Sequence, residues 1–188
     1  LASVGGIVHL VHQGIMKITL FFCAGNLAET LGIHKVSEMN GVGRRMPATM
    51  TAFTIAALGM IGVPPIAGFI TKWYLGLGAL EAGVHWPLFV LTASSLLNAA
   101  YFLPILHRAW FGEPSGAWTE HSAGAAVGDE PRSAAAGGRS PRLETRLLLL
   151  LPPLVTAALS LLVGLLASMP FSALEWSLLI AEREFHYP

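Results

Sequence analysis

The chain has 188 residues, of which 54% are apolar and only 12% are charged, whereas about 25% of the residues of an ordinary soluble domain are charged. Eleven basic and eleven acidic side chains cancel, which excludes the strongly basic balance that is typical of nucleic-acid binding. The single cysteine, Cys23, cannot form an internal disulfide, and we interpret it as a buried structural thiol. The composition therefore predicts an integral membrane protein that lies in a lipid bilayer and has no nucleic-acid partner.

Four hydrophobic segments are long enough to cross a bilayer, which takes about 20 apolar residues in a helix. They lie at about 4–27, 47–80, 86–111 and 145–167. The second segment is too long for one straight helix, and a glycine and proline cluster near its centre predicts a break. The cluster consists of Gly62, Pro64, Pro65 and Gly68. The fourth segment contains Pro152-Pro153, which a membrane helix tolerates where a neighbour satisfies the carbonyls that proline leaves free.

The predicted fold is therefore an all-α integral membrane bundle of four transmembrane helices, the second of which is discontinuous. Residues 113–142 are rich in Ala, Gly, Ser and Pro, which is typical of a flexible loop. Residues 169–188 are too short and too charged to span, so they predict an amphipathic helix on the membrane surface. The expected organisation is a unit at 1–112 with three spans and its break at 62–68, the loop, a last span at 143–168, and this tail.

Basic residues outside the spans predict the orientation of the chain. If the spans alternate in direction, loops 28–46 and 112–144 share one face. These loops and the helix ends beside them hold eight basic residues: Lys35, Arg44, Arg45, Arg108, Arg132, Arg139, Arg142 and Arg146. The opposite face has only Arg183. Since cytoplasmic loops of membrane proteins carry an excess of lysine and arginine, we expect both loops in the cytoplasm, the tail on the opposite face, and the whole chain in the plasma membrane.

Lys72 lies where a lysine is costly, inside the otherwise uncharged run 48–80 and shortly after the predicted break. An ionisable side chain at that depth costs about 3 kcal/mol, so a functional role is the default interpretation. The alternative is a side chain that reaches back to the headgroups, but about eight further apolar or small residues follow it. A broken membrane helix with a buried cation is typical of ion-transport sites near the midplane.

A polar track marks the first span. His9, Gln13 and Lys17 follow one another at four-residue spacing, which places them on one face of a helix, and His12 lies beside them. Histidine suits proton transfer because its pKa is close to physiological pH. The alternative is that the two histidines lie near the membrane surface and are simply hydrated. We predict that these residues and Lys72 form a proton relay.

Two stretches of the chain resemble a known family. Residues 9–25 (HLVHQGIMKITLFFCAG) resemble the histidine–lysine helix of the antiporter-like subunits of respiratory complex I and of the Mrp sodium/proton antiporters. Residues 59–72 (GMIGVPPIAGFITK) are similar to the discontinuous, lysine-bearing helix of the second inverted repeat in that family. Residues 72–75 and 98–104 look most like the Mrp D-type subunit. The resemblance covers about residues 1–112. Because the chain opens without a methionine, we interpret it as the C-terminal portion of a longer protein.

The resemblance implies the second half of an inverted-repeat transporter fold and a role for each polar residue of the track. Lys17 would be the central relay lysine, Lys72 the terminal lysine of the half-channel, and His9 the first histidine of the family. The second family histidine falls at position 13, where this chain has Gln13, with His12 one place earlier. A bridging water would then have to connect the relay.

The function that the resemblance implies is a proton- or cation-translocating subunit of a multisubunit sodium/proton antiporter. Its expected partners are other membrane subunits, the N-terminal half of its own fold, lipid, protons and sodium ions. Two alternatives stay open: a proton-pumping membrane-arm subunit of an NADH:quinone oxidoreductase or membrane-bound hydrogenase, and a non-conducting structural subunit. The sequence contains no iron–sulfur cysteine pattern and no dinucleotide fingerprint, so we expect no cofactor in this chain and any redox chemistry on a partner.

No acidic side chain lies within any predicted span, so the two lysines lack an internal counter-ion. The first repeat of the fold, with its own charged residues, is also absent from this stretch. We therefore predict that residues 1–188 alone, purified into liposomes, do not dissipate a pH gradient.

Overall fold

A computed structural model describes residues 1–114, 118, 144–167, 169–170 and 172–184. All regular secondary structure in this part of the chain is helical, which confirms the predicted all-α class. The helices are α1 (Ala2–Leu31), α2 (Val42–Arg45), α3 (Pro47–Ile61), α4 (Ala67–Glu81), α5 (Trp86–Phe111), α6 (Leu147–Leu165) and α7 (Ala173–Glu184), with a 3-10 turn at Val36–Glu38. Most of the predicted flexible loop 113–142 lies outside the described residues.

Three of these helices, α1, α5 and α6, are long and apolar enough to cross a membrane. The helices α3 and α4 have 15 residues each and are about 22 Å long, so each is shorter than the hydrocarbon core of about 30 Å. Together they form the discontinuous element that was predicted for 47–80. Large apolar side chains face outward along α5, where Phe89 is 76% exposed and Leu97 is 71% exposed. Such a surface suits lipid rather than water.

The connections between helices gather at two opposite ends of the bundle. At one end, the Gly41 N–H donates to the Arg108 carbonyl at 2.9 Å, and the Thr49 hydroxyl donates to the Glu144 carboxylate at 3.0 Å. The first bond joins the loop after α1 to the last turn of α5, and the second joins the first turn of α3 to the residues before α6. We call this the basic end, because the described part of it carries Lys35, Arg44, Arg45, Arg108 and Arg146.

The opposite end, which we call the tail end, holds α7 and the turn between α4 and α5. Leu174 of α7 packs against Val4 and Val8 in the first turns of α1. The Ser172 hydroxyl caps this helix by accepting a hydrogen bond from the Glu175 N–H at 3.1 Å, as N-cap serines do. The tail is therefore helical and packs against α1, while its position at a membrane surface remains a prediction.

Helices α1 and α6 run antiparallel, and hydrogen bonds fix their register. The contacts are Thr30 Oγ1 to Thr145 Oγ1 at 2.8 Å, Asn26 Nδ2 to Leu149 O at 2.9 Å, and Thr19 Oγ1 to Thr156 Oγ1 at 2.8 Å. The Leu149 carbonyl lacks its usual intrahelical donor because Pro153 has no N–H. Asn26 supplies that donor, which is how a neighbouring helix makes Pro152-Pro153 tolerable within α6.

The break between α3 and α4 begins at Gly62, whose φ of 96° is left-handed backbone that favours glycine. The Leu58 carbonyl accepts from both the Gly62 and Val63 N–H groups at 3.0 Å, which closes the end of α3. Residues 62–66 form the break. Gly68 was assigned to the break in the sequence, and this is wrong, because it is the second residue of α4. Its small size serves close packing: a Cβ there would collide with the Gly59 carbonyl.

Candidate functional site

The Lys72 ammonium is held at the helix break by three oxygen atoms. Its Nζ donates to the Met60 carbonyl at 3.1 Å, the Ile61 carbonyl at 2.8 Å and the Ser95 hydroxyl at 2.7 Å. The two carbonyls belong to the last turn of α3, where no N–H of the same helix can reach them and where the helix dipole is negative. The break thus exposes backbone oxygens, and the lysine of the next half-helix binds them.

Helix α5 completes this lysine site with two polar side chains, Ser95 and Asn98, which the sequence predicts only to hydrogen-bond to neighbouring helices, with Asn98 also a candidate for the polar track. Besides Ser95, Asn98 contributes by donating from Nδ2 to the Met60 carbonyl at 3.2 Å. Ser95 and Asn98 are three residues apart, so they share one face of the helix. Their three-residue spacing within a predominantly apolar span was the signal that could have identified them.

His9 lies next to the lysine site through Thr71, which directly precedes Lys72. The His9 Nδ1 atom is 3.3 Å from the Thr71 hydroxyl oxygen. Thr71 donates its own hydroxyl hydrogen to the Gly68 carbonyl at 2.9 Å, so it accepts from His9. We therefore assign the hydrogen of a neutral His9 to Nδ1, which leaves Nε2 as a proton acceptor.

His12 has the same tautomer for a similar reason. Its Nδ1 is 2.9 Å from the Ala67 carbonyl, and because a carbonyl only accepts, Nδ1 must carry the hydrogen. The side chain is 1% exposed, which rules out the interpretation of His12 as simply hydrated at the surface of this chain. The first turn of α4 thus orients both imidazoles and leaves both Nε2 lone pairs available.

Some buried polar atoms near these histidines have no hydrogen-bond partner among the described residues. They are His12 Nε2, Gln13 Oε1 and Ser160 Oγ of α6. An unsatisfied buried polar group costs about 1–3 kcal/mol. Such groups are uncommon in native proteins and therefore call for an explanation.

Lys17 is not enclosed by the described residues, and the sequence-based expectation of a buried lysine is wrong for this chain by itself. Its side chain is exposed, and no described residue forms a hydrogen bond or ion pair with it. Lys17 lies seven residues after Leu10 and four before Phe21, which are 76% and 75% exposed, so it shares their outward face of α1. A step of four residues is slightly more than one helical turn. Each such step from His9 therefore rotates the side chain further around α1, and Lys17 no longer lies on the buried face.

Lys72 and Lys17 line two separate grooves. A groove of about 390 Å³ between α4 and α5 includes Lys72 and Ser95 and extends along Leu80 and Leu88 toward the tail end. A second groove of about 600 Å³ includes Lys17 and Tyr101 and extends to His34, Lys35 and Met39 at the basic end. The two lysines are thus approached from opposite ends of the bundle. Gln13 is one turn before Lys17 on α1, and His9, one turn further, contacts Thr71 beside Lys72, so this stretch of α1 leads from one lysine toward the other.

The remaining predicted residues occupy the expected places. Pro64 and Pro65 lie within the break. Cys23 is fully buried, as predicted for a structural thiol, and its Sγ lies 3.4 Å from the Thr49 carbonyl oxygen. Among the residues that the structure describes, no cluster of three or more metal-ligating side chains is found.

An all-helical bundle with a broken, lysine-bearing helix is an architecture of membrane ion-transport proteins. The family model described as "NADH:quinone oxidoreductase/Mrp antiporter, TM" matches residues 2–98, which is just over half of the chain. The chain belongs to this family, and the resemblance read from the two lysine segments is confirmed. It is accordingly an antiporter-like integral membrane subunit.

Relatives come from both branches of the family. NADH-quinone oxidoreductase subunit N of Desulforudis audaxviator is 39% identical over 95% of this chain and 35% of the relative. The D-type subunit of the Na(+)/H(+) antiporter of Bacillus subtilis is 32% identical over 58% of this chain and 22% of the relative. A chain in the structure of the Mrp complex from Dietzia sp. shares the fold, with a TM-score of 0.77, 24% identity, and coverage of 96% of this chain and 37% of that one. This chain spans about a third or less of these proteins.

Proposed function

We propose that this chain moves protons across a membrane as part of an antiporter-like subunit, with Lys72 as a site that binds and releases a proton. The observation that carries the proposal is the coordination of Lys72 Nζ by Met60 O, Ile61 O and Ser95 Oγ. These partners are neutral, and no described carboxylate pairs with the ammonium. Loss of its proton therefore breaks no ion pair, so a change of charge nearby can switch its protonation.

The proposed path joins the two grooves through the histidines. A proton enters from the groove at Lys17, passes Gln13 and His12, and reaches His9 and Lys72, from which the second groove leads to the tail end. Lys17 and His9 are eight residues apart on α1, or about 12 Å, which is too far for one direct transfer. The intervening side chains of Gln13 and His12 are therefore needed. The exposed face around Lys17 would be covered by the N-terminal half of the subunit's own fold.

We also propose the arrangement in the membrane. The two half-helices α3 and α4 together cross the bilayer once, which makes four crossings with α1, α5 and α6. Residues 1–112 form the translocating unit, 113–142 a loop, 143–168 the last span and 169–188 an interfacial tail. The concentration of basic residues at the basic end supports a cytoplasmic position for loops 28–46 and 112–144, with the tail on the other side.

For the assembly, we propose a multisubunit sodium/proton antiporter that exchanges sodium for protons. The likeness to the D-type subunit of the Bacillus subtilis antiporter supports it. The second candidate is a membrane-arm subunit of an NADH-quinone oxidoreductase, which is favoured by the subunit N relative because its match extends over nearly the whole chain at higher identity. Deleting the gene separates the candidates: sodium sensitivity at alkaline pH supports the antiporter, and loss of NADH-driven proton pumping supports the oxidoreductase.

The test of the relay uses everted membrane vesicles that contain the native assembly. Lys72→Ala is expected to lower proton flux, followed with a pH-sensitive dye, to that of vesicles without the subunit. Lys72→Arg should lose the same activity, because arginine keeps the charge but does not release its proton. The control is Arg183→Ala, which changes an exposed side chain of α7 and should retain normal flux. Near-normal flux in both Lys72 variants would overturn the proposal.

A further inference from the structure

The three unpartnered polar atoms of His12, Gln13 and Ser160 lie on two helices whose register is known. From Asn26 to Thr19, α1 steps seven residues toward the tail end, and α6 matches this with seven residues from Leu149 to Thr156. Continuing this register by one turn brings Ser160 level with residues 15–16 of α1. Ser160 is fully buried, and its level is within one turn of His12.

A second contact places the same stretch of α6 beside His12. Gly164, one turn after Ser160 on the same face, lies against the break, since a Cβ there would collide with the Pro65 carbonyl and the Ala67 N–H. Ala67 is also the residue whose carbonyl binds His12 Nδ1 at 2.9 Å. His12 and the segment from Ser160 to Gly164 therefore converge on one place between α1, α4 and α6.

The hydrogen-bonding capacities of the three atoms are complementary to one molecule. His12 Nε2 accepts, because Nδ1 holds the hydrogen, and Gln13 Oε1 also accepts, whereas the Ser160 hydroxyl can donate. A water molecule donates twice and accepts, so the hydrogen-bonding capacity of one water complements all three atoms. Buried waters in proteins typically make about three hydrogen bonds to otherwise unsatisfied polar groups.

We propose that His12, Gln13 and Ser160 bind one internal water molecule between α1 and α6, and that Ser160 is thereby a positioning residue for proton transfer at His12. The binding site stands on its own, while its role in transport rests on the proposed function. Glutamine does not titrate, so Gln13 can act in the relay only through such a water. The water receives a proton from the Lys17 side as it passes one of its own to His12 Nε2, so the water stays neutral and His12 becomes an imidazolium. Release of the Nε2 proton toward His9 returns His12 to its starting tautomer.

The first test observes the water directly and does not require transport. In the native assembly with ¹⁵N-labelled histidine, solid-state NMR should show magnetisation transfer from water to His12 Nε2. Ser160→Ala should abolish this signal, and Ser160→Thr, which keeps the hydroxyl, should retain it. The matched control is Ser177→Ala: Ser177 is also buried, but its hydroxyl already donates to the Ala173 carbonyl at 2.6 Å, so the His12 signal should not change. A wild-type His12 Nε2 without water contact would overturn the proposal.

The second test measures the role in transport. Ser160→Ala should lower proton flux about tenfold, the factor expected for one lost hydrogen bond of ordinary strength, and Ser160→Thr should recover it. Unchanged flux in Ser160→Ala would overturn the positioning role. If Lys72→Ala retained flux while the water signal at His12 persisted, the proposed function would fail and the water site would stand.

Discussion

The two halves of α1 differ in how fully their buried polar groups are hydrogen-bonded, although both halves pack against α6. Toward the basic end, the polar side chains are paired with neighbouring helices: Thr19 with Thr156, Cys23 with Thr49, Asn26 with Leu149, and Thr30 with Thr145. Toward the tail end, His12 and Gln13 each keep a buried acceptor atom without a partner among the described residues. We call the half of α1 toward the basic end the closed half, because its buried polar side chains are paired. We call the half toward the tail end the open half, because it keeps unpaired acceptor atoms.

The comparison separates two uses of a polar residue in a membrane helix. Paired groups in the closed half hold α1 and α6 in register, as polar residues commonly do between membrane helices. Unpaired groups in the open half keep capacity for water or a proton at the cost of stability, which is the property that our proposed relay requires. The residue type alone does not decide between these uses, since an amide serves one half at Asn26 and the other at Gln13.

The largest effect is expected from the open half. His12→Phe keeps the volume of a ring but removes the proton acceptor, so we expect proton flux in everted vesicles to fall about 100-fold, the lower range for loss of a general acid–base group. His107→Phe on exposed α5 is the control and should retain flux. A fall of less than about threefold in His12→Phe would refute the comparison.

The closed half should show the opposite behaviour, a loss of stability. Asn26→Leu leaves the partly buried Leu149 carbonyl without a donor, so we expect the free energy of unfolding to fall by about 1 kcal/mol, measured by denaturation of the purified assembly in detergent. Flux per folded protein should remain normal.

A double variant makes this prediction specific to the proline in α6. Adding Pro153→Ala to Asn26→Leu restores a backbone N–H that can donate to the Leu149 carbonyl, so we expect most of the lost stability to return. If the double variant is no more stable than Asn26→Leu, the carbonyl is not the reason that Asn26 matters.

The smallest effect sharpens the role of position 13. Gln13→His places a titratable ring where the family has its second histidine, and it also keeps a nitrogen that can bond the proposed water. We expect flux to change by no more than about threefold, because the water route already connects this position to His12. The vesicle assay with wild type as reference checks this. A tenfold or larger gain would mean that the present route through Gln13 is poorly connected.

The sequence alone predicted the long apolar helices and the place where the segment 47–80 breaks. The third span was predicted at 86–111 and α5 has the same bounds, because its length and apolar character are properties of one segment. Gly62 and the two prolines predicted the break for the same local reason. The lysine and histidine segments also identified the family, since their spacing is readable without contacts.

Only the tertiary structure decided what the polar groups do. The exposure of Lys17, the binding of Lys72 by Ser95, the tautomers set by Ala67 and Thr71, and the burial of Ser160 all depend on which faces of different helices meet. That information is absent from the periodicity of any single helix, because packing sets the rotation and register of one helix against the next. The sequence by itself thus predicted membrane helices with two costly lysines, and the packing of α3, α4 and α5 placed the Lys72 ammonium against two backbone carbonyls and a hydroxyl.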